Sequence, residues 1–159
     1  MTGTVAGLTS VVVVTHCSLA TIERCLDRVL ANTAPVEAIV IDNASDDGTG
    51  GLVARRAVRE TRLQFVGNAD NRGFAAACNQ GAAIARGDVL LFLNPDAFIA
   101  ADAIQALADR LAANPDVGLI GCRVVDEAGH PHGPQRRREP TWRRSLMSLI
   151  GLARLQRRW

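Results

Sequence analysis

The sequence predicts an α/β domain, with a mostly parallel β-sheet carrying helices on both faces. Two observations lead there. Short β-branched runs alternate regularly with stretches of helical period. Those runs are apolar on both faces, as strands covered from both sides must be. Length agrees, because 159 residues suffice for one ordinary domain with a sizeable core.

The elements follow in order. Residues 10–15 form a continuous run of strand length, and residues 19–31 carry helical spacing at Ile22, Leu26, Val29 and Leu30. Residues 36–41 read as a second strand. Asp46 and Asp47 then stand where an N-cap belongs, ahead of a helix reaching about Arg59. Residues 62–66 are a third strand. Residues 73–86 are an Ala-rich helix, with Gly87 expected in the C′ position. A fourth strand covers 89–93, a helix covers 101–113 and stops at Asn114-Pro115, and a fifth strand is expected over 118–125. The crossovers should be right-handed. From Asp126 the texture changes to a tight hairpin turn over 126–130. A Pro- and Arg-rich stretch follows, then an amphipathic helix over about 141–155 with Trp142, Leu146, Leu149, Ile150 and Ala153 on its apolar face. The organisation expected is one domain over 1–135 and a basic tail over 136–159.

Composition narrows the function classes. Apolar residues make up 48% and charged residues 21%, which is a folded, soluble composition. The longest apolar stretches, 11–14 and 89–93, are too short to span a bilayer. The N-terminus lacks the basic region and apolar core of a signal peptide, so a cytoplasmic location is expected. All 18 basic residues are Arg. Without Lys the chain is neither a Walker A nucleotide-binder nor a pyridoxal enzyme, since both need that amine. Cys17, Cys25, Cys78 and Cys122 form no CxxC pair and no zinc spacing. They are expected to be reduced, with Cys17 and Cys78 in the core. His130 and His132 flank a Pro in a turn and receive no role.

Charge is unevenly spread. Residues 1–135 carry a net −5 and residues 136–159 a net +7, from eight Arg against Glu139 alone. Such a tail is a solvated charge run, a helix lying peripherally on an anionic membrane surface, or an electrostatic nucleic-acid contact. No nucleic-acid recognition module is visible, so no such partner is expected.

In an open parallel sheet, ligands bind outside the carboxyl ends of the strands. The polar residues following each strand are Thr15-His16-Cys17-Ser18, the run from Asp42 to Thr49, the run from Asn68 to Phe74, and Asn94-Pro95-Asp96-Ala97. All four converge on one edge. The first turn holds no glycine, so the GxGxxG dinucleotide fingerprint is absent.

These runs carry a resemblance. VVVTHCS (12–18), VIDNASDDGT (40–49), NRGFAAACNQG (71–81) and GDVLLFLNPDA (87–97) resemble, in order and spacing, the successive motifs of family-2 glycosyltransferases, most of all the rhamnosyltransferase-like branch. The resemblance implies a Rossmann-like GT-A fold that binds a nucleotide-diphospho-sugar, dTDP-rhamnose or a UDP-sugar first. It implies that Asp42 accepts a hydrogen bond from the base, with Asn43 beside it, and that Thr15 and His16 line the base pocket. His16 stands where Tyr is common. Arg72 and Gly73 open a helix whose N-terminus favours anions, and Asn79 is a candidate ligand contact. Asn94-Pro95-Asp96 occupies the place of the Asp-x-Asp motif. Asp96 is then the ligand of Mg²⁺ or Mn²⁺, and Asn94 contacts the sugar or a metal-bound water.

Plain structural readings stand beside these. Asp42-Asn43 is also a turn pair, Asp46 and Asp47 are caps, and Asn94-Pro95-Asp96 is a turn with Asp96 capping the next helix. Arg72 and Asn79 are also ordinary surface residues. The resemblance places the general base in a further half, so the expectation is a chain truncated before its acceptor half, with a weak or absent activity of its own. The alternatives are a non-catalytic nucleotide-sugar-binding module or half of a split enzyme. An apolar edge left by that half makes self-association an expectation. A nucleotidyltransferase is disfavoured, because THCS supplies no Gly-rich basic loop.

Overall fold

The computed structural model describes residues 4–126 and 128–131. The expected tail helix over 141–155 and the membrane contact assigned to it lie outside these residues. Contacts divide the chain into two compact units between Ile120 and Gly121. Among the described residues, no helix is long and apolar enough to cross a membrane.

The first unit alternates strand and helix throughout: β1 Val5–Thr15, α1 Leu19–Leu30, β2 Val36–Asp42, α2 Thr49–Ala57, β3 Leu63–Gly67, α3 Phe74–Ile84, β4 Gly87–Leu93 and α4 Ala103–Ala112. The sheet is parallel throughout, in the order β3-β2-β1-β4. Its centre is β1, where Val11, Val12 and Val13 are almost wholly buried. Alternation along the strands supplies two cores. Val11, Val13, Ala38 and Val40 pack with Ile22, Leu26 and Val29 of α1, Val53 of α2 and Ile104 of α4. Val12, Val14, Ile39 and Ile41 pack with Ala77 and Cys78 of α3. The expected α/β sheet with helices on both faces is therefore the observed architecture.

Close packing explains two glycines. A Cβ on Gly81 would fall 2.5 Å from Val12 Cγ1, so α3 reaches the central strand only through a residue without a side chain. Gly87 is not the C′ residue of α3. The helix ends at Ile84 with an extended C-cap at Ala85, and Gly87 opens β4. Its Cβ would fall 2.3 Å from Leu8 O, so what it provides is close approach to β1.

The same corner holds a buried acid. Glu37, 1% exposed, accepts from Ser10 Oγ (2.6 Å), Arg86 N (2.7 Å), Arg86 Nε (2.8 Å) and Gln64 Nε2 (3.1 Å). Burial pushes its carboxyl pKa up, but the hydrogen bonds from Ser10 and Arg86 and the Arg86 charge outweigh this. The net position is below the ordinary range.

The fifth strand expected over 118–125 does not form. Val125 makes only an isolated antiparallel bridge to Pro131. Among the described residues no strand pairs along this run, and Leu119 is 86% exposed. A cavity of about 370 Å³ beside β4 is lined by Val89, Leu91, Ile104, Leu107, Leu111 and Leu119 among others. In the second unit, the tight turn at 126–130 is present: Asp126 N donates to His130 O (2.8 Å), and Gly129 takes φ +83°.

Candidate functional site

The strand register sets the carboxyl ends side by side. Thr15 pairs with Asp42, Asp42 with Gly67, and Val13 with Leu93, one residue before Asn94. The chain continues that adjacency past the strands, for Asn43 N donates to Thr15 O and Asn68 N to Asp42 O, both at 2.8 Å. Thr15, Asp42, Asn43 and Asn94 thus gather at one edge.

The loops after β1 and β2 are laced together. His16 Nδ1 lies 2.8 Å from Asn43 O. A carbonyl only accepts, so Nδ1 carries the proton in this contact, and the residue as a whole is exposed. Cys17 N donates to Ser45 Oγ (2.8 Å), Ser18 N to Thr49 Oγ1 (3.0 Å) and Leu19 N to Asp47 Oδ2 (3.0 Å). Two residues bend to make this fit, Cys17 with φ 52° and Ala44 with φ 58°. Non-glycine residues in this region are strained and concentrate at functional loops.

The expected cap roles are redistributed. The N-cap of α2 is Gly48, at φ 94°, and not an aspartate. Asp47 still accepts Thr49 N at 3.0 Å while its other oxygen accepts Leu19 N, so one carboxylate serves the first turns of α1 and α2. The hydrogen bonds from the Thr49 hydroxyl and the Leu19 amide hold its pKa below the ordinary range. Asp46 accepts instead from Cys17 Sγ at 3.2 Å. Cys17 is exposed rather than in the core, because it sits in this loop beyond the end of β1; Cys78 is buried as expected.

Asp42 is 5% exposed, and its carboxylate accepts from Ser45 N (3.2 Å) and Ser45 Oγ. Asn43 is 2% exposed. Its Oδ1 accepts from Asn68 Nδ2 at 2.9 Å, and Asn68 and Gln80 exchange two amide hydrogen bonds of 3.0 Å. Gln80 joins the sheet edge, a part that sequence reasoning did not give it. Asn79, its neighbour, is exposed on α3. Arg72 is exposed, 3.4 Å from Asp70 Oδ1. Gly73 takes φ +80°, with open space where a Cβ would point. Thr15 Oγ1 is buried and has no hydrogen-bond partner among the described residues.

Beyond β4, Ala97 N closes a turn onto Asn94 O at 3.1 Å. Asp96 does not cap a helix, for α4 begins at Ala103 with Asp102 as its N-cap. Among the described residues no hydrogen bond or ion pair engages the Asp96 carboxylate or the Asn94 amide. Its charge is felt by Cys25, whose thiol is pushed up to about 11 by burial first and by Asp96 second. No group of three His, Cys, Asp or Glu gathers among the described residues. One carboxylate and one amide do not make an all-protein cage. They do fit a Mg²⁺ or Mn²⁺ ion that draws its other ligands from a diphosphate and water.

Known proteins agree with this architecture. The family model for glycosyl transferase family 2 matches residues 10–157. The succinoglycan biosynthesis protein ExoO of Rhizobium meliloti is 33% identical over 120 residues, which cover 74% of this chain and 34% of that protein. The uncharacterized glycosyltransferase EpsJ of Bacillus subtilis is 28% identical over 102 residues, covering 64% of this chain and 29% of EpsJ. The chain therefore spans about a third of the length of these relatives. Among solved structures, the mannosyltransferase PcManGT of Pyrobaculum calidifontis, in complex with GDP-Man and Mn²⁺, superposes with a TM-score of 0.61 at 31% identity. That match covers 65% of this chain and 32% of PcManGT. TarS of S. aureus in complex with UDP shares the fold at a TM-score of 0.60 and 22% identity, over 67% of this chain and 32% of that one. The fold is of the GT-A type, and the chain belongs to glycosyl transferase family 2.

Proposed function

We propose that this chain forms the donor side of a glycosyltransferase, binding a nucleotide-diphospho-sugar through a divalent cation for transfer of the sugar to an acceptor hydroxyl. The observation that carries the reading is Asp96: a carboxylate without a hydrogen-bond or ion-pair partner among the described residues, on the turn that follows β4, beside the strand ends that hold Thr15 and Asp42. Asp96 would hold Mg²⁺ or Mn²⁺, with Asn94 on the sugar or on a metal-bound water. The cation, when bound, supplies positive charge where the diphosphate leaves.

The other residues bind and orient. Asp42 and Asn43 present a rigid polar floor for the base, since Ser45 and Asn68 fix both side chains. His16 stands at its rim with the Nδ1 proton committed to Asn43 O. Gly73 leaves room for the donor's approach, and the α3 N-terminus and Arg72 favour its negative charge. Asn79 is assigned to the outer part of the same face. An inverting transfer into cell-surface polysaccharide or glycolipid is the reading that the motifs and the ExoO relationship support, with dTDP-rhamnose, UDP-sugars and GDP-sugars as the donors to compare.

Equilibrium dialysis of the 159-residue chain with labelled UDP-glucose, GDP-mannose and dTDP-rhamnose, in the presence of Mn²⁺, tests the reading. Saturable binding of one of the three is the expected result. A folded chain that takes up none of them would refute it.

A further inference from the structure

We propose that Arg24 and Phe98 are positioning residues for Asp96, acting through a strap that α1 holds in place; this rests on the reading of Asp96 as the metal ligand. Residues 94–102, between β4 and α4, contain neither helix nor strand. Their course is set by a series of anchors, most of them reaching from α1 and the turn after it. Cys25 Sγ donates to Asn94 O at 3.7 Å. The Arg24 guanidinium lies over the Phe98 ring, 4.1 Å from its centroid. Asn32 Nδ2 donates to Ala100 O at 2.8 Å, and Thr33 N to Ala101 O at 3.0 Å. Ile99 completes the series by entering the core cluster that contains Ile22 and Cys25.

These anchors occur in nearly the same order along α1 and along the strap. Asp96 falls between the first two, two residues after Asn94 and two before Phe98. The turn that carries it is closed by the bond from Ala97 N to Asn94 O. Release of Phe98 would leave Ile99 as the first anchor after Asp96, loosening Ala97 and Phe98 between them while the Asn94 side stays fixed. A hard cation demands ligand oxygens at about 2.0–2.2 Å, so a carboxylate on a loosened turn binds it poorly. The ring itself is 39% exposed, so little core depends on it. Its place on the strap, with a cation stacked on it, is that of a clamp.

The test uses the full chain with Phe98→Ala, Arg24→Gln, the double variant and Asp96→Ala. Free Mn²⁺ is followed by electron paramagnetic resonance with UDP, GDP and dTDP each at saturation. Nucleotide affinity without metal and the urea midpoint are measured alongside. Phe98→Ala and Arg24→Gln should each weaken Mn²⁺ binding about tenfold, the size found for residues that orient metal ligands. The double variant should add little to either, because the pair acts as one unit. Metal-free nucleotide affinity should stay within about twofold, and Phe98→Tyr should restore the Mn²⁺ affinity. An unchanged Mn²⁺ affinity in Phe98→Ala, with binding abolished in Asp96→Ala, would overturn the clamp and leave the metal reading intact. An equal loss of affinity with and without metal would also overturn it, as a general structural effect. Wild-type chain that holds no Mn²⁺ with any of the three nucleotides would overturn both.

Discussion

Asp42 and Gly50 are in direct apposition: a Cβ at position 50 would stand 2.8 Å from Asp42 Oδ2. The first turn of α2 lies against the carboxylate that ends β2, and only glycine permits it. Gly50→Ala must move a buried acid. We expect nucleotide affinity to fall roughly tenfold, equivalent to about 1.4 kcal/mol, with little change in the urea midpoint. Gly51→Ala is the control, since its Cβ meets only the mobile end of Arg55 at 3.4 Å. Calorimetry on both variants checks this, and equal losses would contradict it.

Glu37 predicts a stability effect far from the site. Glu37→Ala leaves Ser10, Gln64 and the Arg86 backbone without their acceptor. Arg86 is half exposed and regains water, so the cost falls on the buried Ser10 hydroxyl and the other donors left unpaired, about 1–3 kcal/mol. The folded-state pKa is lowered, so this stability is fully present above the ordinary Glu range and lost as pH falls through the folded value. Urea midpoints of the wild type should therefore decline below about pH 4.3, and Glu37→Gln should flatten that decline.

Asp47 predicts a second acid-side effect, localised to the loops. Its carboxylate accepts from Leu19 N and Thr49 N, and its pKa is lowered by the Thr49 and Leu19 bonds. Its contribution is present above the ordinary Asp range and disappears as pH drops through the folded value. Amide exchange at Leu19 and Thr49 should accelerate in Asp47→Asn more than in Asp46→Asn. The reverse ranking would contradict the shared cap.

Thiol labelling separates the cysteines. Cys25 is buried, with its thiol at about 11, whereas Cys17 and Cys122 are exposed. At pH 8 the native chain should give up Cys17 and Cys122 to a thiol reagent, and release Cys25 only on unfolding. Early labelling of Cys25 would show that the strap over α1 opens readily.

Most of the sheet was legible because β1 and β2 carry Val- and Ile-rich stretches and α1 carries strong periodicity at Ile22, Leu26 and Val29. The run over 118–125 was misread for the same reason: local pattern records β-preference, while a strand needs a neighbour. Gly87 was legible as a punctuating residue but not as a contact with Leu8, which is a long-range fact. At the site, Asp42, Asn43, Asn94 and Asp96 could be placed from their position after strands. Gln80 could not be told from Asn79, since α3 is mostly small residues, five of its eleven alanine, and lacks a stripe that fixes its rotation. The lacing of the first two loops by Ser45, Asp47 and Thr49 was hidden for another reason. Those residue types signal caps within one element, and here they act between two.

On this reading Asp96 brings a divalent cation to a nucleoside diphosphate. Calorimetric titration of the chain with UDP, GDP and dTDP, with and without Mn²⁺, beside Asp96→Ala, tests it most directly. One nucleotide should bind tenfold or more tightly with Mn²⁺, a gain of about 1.4 kcal/mol or greater, and that gain should be lost in Asp96→Ala with the metal-free affinity retained. Nucleotide binding that ignores Mn²⁺, or a metal effect that survives the substitution, would contradict it.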